Sequence, residues 1–173
     1  MREKRLEKIY ILSGKARCGK DTVANIIEEY FKDKKVIKLS YSYYLKDYLK
    51  RMNMYDETNK PRSLMQDFGQ NLLRKINPNF LIDRLLEDIE VFSYFYDIII
   101  ITDARMKDEI MIPKEKYSNV KTIRVVRNNY DNGLTEEEKN DITETNLDDF
   151  KEFDETIEND SHLKENVWRY LDE

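Results

Sequence analysis

Short apolar runs alternate along the chain with longer stretches in which apolar residues recur every three or four positions. The short runs predict strands at 9–13, 36–39, 97–102 and 122–126, with a last short one at 154–157. Helical spacing marks 22–31, where Val23, Ile26, Ile27 and Tyr30 share a face, and 43–52, where Tyr44, Leu45, Tyr48 and Leu49 do. It continues over 62–76 through Met65, Phe68, Leu72 and Leu73, then over 79–92 beyond the Asn77-Pro78 break. A closing helix at 163–171 is expected to turn Val167, Trp168 and Leu171 inward. The isoleucines at 98–101 predict a strand buried on both faces, as parallel sheets require. Residues 53–61 read as a polar loop, and 128–149 as an acidic, lid-like region holding Asn132-Gly133 and a short helix. Strands alternating with helices predict one α/β domain over 1–173: three layers around a mainly parallel five-stranded sheet. Ligands of such sheets bind beyond the carboxyl ends of the strands, which sets Gly14, Ser40 and Asp103 on one rim.

Chemistry gathers on that rim. Gly14-Lys15-Ala16-Arg17-Cys18-Gly19-Lys20 fits G-x-x-x-x-G-K between the first strand and the first helix, the setting of a P-loop. Its glycines let backbone N–H groups wrap phosphate oxygens, the helix start adds a favourable field, and Lys20 reaches the β and γ phosphates of ATP. Asp21 then Thr22 follow Lys20, where Ser or Thr ordinarily comes first; Asp21 either binds Mg²⁺ or caps the helix. Cys18 reads as a small residue that fits the loop. The candidate cofactor site is therefore 14–22, for ATP and Mg²⁺.

Asp103 ends the isoleucine strand as a second candidate metal ligand, and Arg105 beside it is a candidate for an acceptor phosphate. The alternative is a surface ion pair of Arg105 with Asp108 or Glu109. Arg62 and Gln66, four apart, and Arg74 further along form a second constellation, either a grip on an anionic acceptor or a solvated basic face. Ser40, Tyr41 and Lys46 follow the second strand, placing an aromatic for a base and a cation for a phosphate. Arg127, beyond the strand that holds Arg124, is the candidate lid arginine that neutralises charge on a transferred group. With Lys20, Asp103 and Arg105 it completes the candidate catalytic set, and His162, the sole histidine, is given no chemistry.

Composition narrows the partners. A net charge of −5 with both signs interspersed argues against nucleic acid and leaves room for a small anionic substrate. The single cysteine allows no internal disulfide and suits a reducing compartment. Residues 1–8 lack the apolar run of a signal peptide, and the run at 98–101 is too short to span a bilayer. A cytoplasmic monomer or homodimer with no membrane partner is expected.

In order along the chain, 14–21 with Thr22-Val23-Ala24, then 40–46, then Arg62-Ser63-Leu64-Met65-Gln66-Asp67-Phe68-Gly69, resemble the P-loop deoxynucleoside monophosphate kinases. So do Ile101-Thr102-Asp103-Ala104-Arg105 with Glu109, the acidic stretch 141–148, and Ile157-Glu158-Asn159-Asp160. The Gly-Lys-Asp ending is also similar to phosphomevalonate kinases of the same superfamily. The resemblance implies ATP and Mg²⁺, Arg62 and Arg105 as acceptor ligands, and a closing lid. Tyr41 stands where a smaller residue is expected, and Met106 where an aromatic is commoner. The expected activity is phosphoryl transfer from ATP to a (deoxy)nucleoside monophosphate. The alternatives are a kinase for another phosphate ester such as phosphomevalonate, and a non-catalytic nucleotide-binding protein.

Overall fold

The computed structural model describes residues 3–173. Five strands, β1 (Lys8–Ser13), β2 (Val36–Leu39), β3 (Ile98–Ala104), β4 (Val120–Val126) and β5 (Glu155–Glu158), form one sheet in the order β2-β3-β1-β4-β5. Every neighbouring pair is parallel. The helices are α1 (Lys20–Tyr30), α2 (Ser42–Arg51), α3 (Arg62–Asp67), α4 (Arg74–Ile76), α5 (Phe80–Phe92), α6 (Lys107–Lys116), α7 (Glu136–Asn140), α8 (Ile142–Thr145) and α9 (Leu163–Asp172). A π-helical turn, Phe68–Leu73, joins α3 to α4.

The isoleucine run shows why the sheet sits where it does. Successive strand side chains face opposite ways, so Ile99 and Ile101 join Ile9 and Ile11 under α2, α5 and α6, while Ile98 and Ile100 join Tyr10 and Leu12 under α1 and α9. All four isoleucines are 0–1% exposed. Each such burial contributes about 1.5–3 kcal/mol, and the two apolar layers fix β1 and β3 at the centre. The chain leaves β1 and β3 toward one rim, which receives the loop after β1, the start of α2 and the end of β3.

The structure departs from the sequence reading in four places. Residues 107–116 form α6, which the pattern missed because Ile110, Met111 and Ile112 are consecutive and Pro113 lies inside the helix. The proline has no N–H for the carbonyl of Glu109, and the Tyr41 hydroxyl donates to that oxygen instead, at 2.6 Å. In the 62–76 segment the π turn adds a residue to the helical circuit, so Leu73 is buried and Leu72 is 46% exposed. Trp168 is 38% exposed, with the Lys164 ammonium 4.8 Å from its ring centre, while Val167 alone of that pair is buried. Region 128–149 carries two short helices, α7 and α8, rather than one.

Candidate functional site

The loop after β1 has the backbone its glycines permit. A Cβ on Gly14 would stand 2.5 Å from the carbonyl oxygen of Val125. Gly19 has φ 105°, a conformation open to glycine at little cost, and forms the N-cap of α1 without a side-chain cap bond. Arg17 takes φ 58°, uncommon for a residue with a side chain. Asn159, just past β5, donates to the carbonyl of Cys18 at 2.8 Å and ties the loop to the sheet. Cys18 itself is buried. Lys20 is 9% exposed, and its ammonium donates to the carbonyls of Gly14 and Lys15, each at 2.8 Å. Burial, and then the charge of Arg105, pull its pKa below the ordinary lysine value. Asp21 and Thr22 lie exposed in the first turn of α1. Asp21 therefore adds an acid to a helix start without capping it through its side chain.

Asp103 does its visible work at the start of α2. Its Oδ1 accepts the Tyr41 N–H at 2.8 Å, and its Oδ2 accepts the Ser42 N–H at 3.0 Å and the Ser40 hydroxyl at 2.9 Å. A carboxylate offers four lone-pair sites, and three are engaged, so a metal would find room on Oδ1 or through water. No group of three or more His, Cys, Asp or Glu among the described residues could hold a metal. Asp21 and Asp103 are the two carboxylates here that could take part in holding Mg²⁺, with phosphate oxygens and water supplying the other ligands as is usual for that ion.

Beside this rim lies a cavity of about 230 Å³. Its wall brings together Tyr41, Lys46, Arg62, Gln66, Arg74, Asp103 and Arg105 of the sequence-derived set. The π turn is what admits Arg74: an unbroken helix past Gln66 and Gly69 would present position 73 next, and the added residue presents 74. Ser40 stands behind this wall on Asp103. Arg127 does not join it; its guanidinium lies 5.2 Å from the ring centre of Tyr130 on the exposed side of the loop.

Two acids hold the site together in ways the sequence did not assign. Glu109 is 2% exposed and no surface partner. Its Oε2 accepts the N–H groups of Arg105 and Met106, at 2.7 and 3.1 Å, and its Oε1 takes the Arg74 guanidinium at 2.7 Å. Burial raises its pKa to about 7, against the opposing pull of Arg74. The side chain of Arg105 pairs instead with Glu144 of α8. Glu144 also accepts the N–H of Ala16 in the loop after β1, at 3.1 Å. Glu109 lies three residues past Met106, but methionine is no N-cap residue and the pair offered no capping signature. Glu144 offered no signal either, being one acid among many in an acidic stretch.

The 128–149 region lies over the loop. The Tyr130 hydroxyl donates to the carbonyl of Ala16 at 2.7 Å, and Lys15 pairs with Asp148 at 2.7 Å. Arg124 donates to the Ser13 hydroxyl at 3.0 Å, and its burial lowers its pKa. Leu134, Thr143 and Glu144 line the 230 Å³ cavity.

No protein-family model and no curated protein matches the chain. Solved structures do match it. TT1252 from Thermus thermophilus superposes with a TM-score of 0.57 at 13% identity, over 96% of this chain and 95% of that one. The APS kinase CysC of Mycobacterium tuberculosis gives 0.55 at 11%, over 98% and 97%. A shikimate kinase from Bacteroides thetaiotaomicron gives 0.53 at 14%, over 95% and 96%. The chain shares the α/β fold of these structures, a parallel five-stranded sheet flanked by helices.

Proposed function

We propose that the chain is an ATP-dependent kinase that moves the γ-phosphoryl group of ATP to the phosphate of a ribo- or deoxyribonucleoside monophosphate, giving the diphosphate and ADP. One observation carries the reading: the phosphate loop and the basic cavity share a wall. Arg105, Thr143 and Glu144 line both the cavity and the small cleft beside Ser13, Gly14 and Lys15. A donor phosphate on the loop and an acceptor phosphate in the cavity would meet at Arg105.

The residues divide the work. Loop N–H groups and Lys20 hold the β and γ phosphates. Arg105, Arg62 and Arg74 grip the acceptor phosphate with planar guanidinium forks, and Lys46 adds a point charge. Tyr41 and the Gln66 amide face the rest of the acceptor. Asp103 orients the start of α2, and Glu109 holds Arg74 and the backbone of Arg105. An acceptor phosphate is already ionised, so no general base is needed, and positioning with charge neutralisation lowers the barrier. Mg²⁺, when bound at Asp21 and the rim, supplies charge neutralisation on the phosphate oxygens. Residues 128–149 exclude water from the transfer.

The test is coupled ADP release from ATP·Mg²⁺ with each nucleoside monophosphate offered in turn and phosphomevalonate as comparator. Strong stimulation by one or a few nucleotides is expected. Stimulation by phosphomevalonate alone, or by no acceptor, contradicts the proposal.

A further inference from the structure

Glu144 holds a position that the proposed chemistry does not use. It sits in the four-residue α8, whose Asp141 N-cap accepts the N–H and hydroxyl of Thr143 at 2.8 and 2.6 Å. The anchored turn carries the Glu144 side chain inward until it is 5% exposed. A buried carboxylate is costly to desolvate unless donors compensate it. The donors here are the N–H of Ala16 in the phosphate loop and the guanidinium of Arg105. These are the two kinds of group that the kinase reading assigns to phosphate oxygens. Charges on Lys20 and Arg124 also act on this carboxylate.

We infer that Glu144 is a tethered stand-in for a phosphate group, and that an arriving phosphoryl group must displace it to reach the Ala16 N–H and Arg105. This regulation of the site rests on the kinase reading above. Two anions cannot share those donors, because like charges repel and each donor serves one acceptor well. Nucleotide binding is therefore linked to release of Glu144, and the apparent affinity is lowered by the fraction of molecules in which Glu144 is seated. The device holds the loop, α8 and Arg105 in register while setting a threshold for anion binding. Asp148 supplies an internal contrast: it carries the same charge and pairs with Lys15 and Arg124, but it is 44% exposed and touches neither Ala16 nor Arg105.

The experiment is titration calorimetry of ATP·Mg²⁺ and of inorganic pyrophosphate into the wild type, Glu144→Gln, Glu144→Asp and Asp148→Asn. Glu144→Gln should bind both ligands about tenfold tighter, by removing the competing charge, and Asp148→Asn should stay within about twofold of the wild type. Glu144→Asp keeps the charge, seats it less well, and should fall between. If circular dichroism shows Glu144→Gln unfolded, Glu144→Asp carries the test, and binding equal to wild type overturns the inference. It is also overturned if Glu144→Gln binds no tighter, or if Asp148→Asn tightens equally. Failure of the kinase reading shows separately, as absence of acceptor-dependent ADP release while ATP binds; tightening by Glu144→Gln then still supports the competition. Absence of ATP and pyrophosphate binding by every protein overturns both.

Discussion

Replacing Tyr41 by Phe removes one oxygen from the wall of the 230 Å³ cavity and isolates the partner of that oxygen. The Tyr41 hydroxyl donates at 2.6 Å to the carbonyl of Glu109, and both residues are 2% exposed. In an uninterrupted helix the N–H of residue 113 would satisfy that carbonyl, but Pro113 has none. A buried acceptor left without a donor costs about 1–3 kcal/mol. For a chain of this length each kcal/mol lowers Tm by about 2–4 °C. Pro113→Ala supplies the missing N–H, so it should be worth about 1 kcal/mol more in the Tyr41→Phe background than in the wild type. Urea unfolding followed by circular dichroism, run as a double-mutant cycle, measures both quantities. A loss below about 0.5 kcal/mol for Tyr41→Phe, or additivity within about 0.3 kcal/mol, refutes the exchange of donors.

Other substitutions probe the π-helical turn and the ion pair beside the cavity. Leu73→Ala should destabilise by about 2–5 kcal/mol, whereas the exposed Leu72→Ala should change stability by about 0.5 kcal/mol or less. Equal losses in urea unfolding would contradict the π turn. Arg74→Met strands the buried Glu109 carboxylate and should cost about 3–5 kcal/mol near neutral pH. Because the folded pKa of Glu109 is raised from 4.5 to about 7, its favourable contribution is full below 4.5 and is lost as pH rises through 7. Losing Arg74 raises that pKa further, so the Arg74→Met penalty should be smaller at pH 5 than at pH 8; equal urea midpoint shifts would count against it.

Much of this could be read from the chain before the structure. The isoleucines at 98–101 announced a strand covered on both faces, and the sheet places them at its centre with 0–1% exposure. The glycines of the loop after β1 sit at backbone positions that admit little else. Tyr41, Lys46, Arg62, Gln66, Arg74, Asp103 and Arg105, scattered over more than sixty positions of sequence, meet at one cavity because parallel strands deliver their carboxyl ends to one rim. What the pattern hid has physical causes. Pro113 masked α6, since a proline inside a helix ordinarily ends it and here its missing donor is replaced by Tyr41. The π turn changed which leucine is buried, and periodicity assumes an unbroken circuit. Glu144 was indistinguishable by type from its acidic neighbours; only tertiary contact with Ala16 and Arg105 separates it from them.

The claim on which the account rests is transfer to a phosphate acceptor rather than nucleotide binding or hydrolysis. ATP labelled on its γ-phosphate, incubated with the protein, Mg²⁺ and a mixture of nucleoside monophosphates, reports it directly. The account predicts label in nucleoside diphosphate, little in free phosphate, and loss of the transfer in Lys20→Ala with the fold retained by circular dichroism. Label that stays in ATP, passes only to water, or transfers equally well in Lys20→Ala would contradict it.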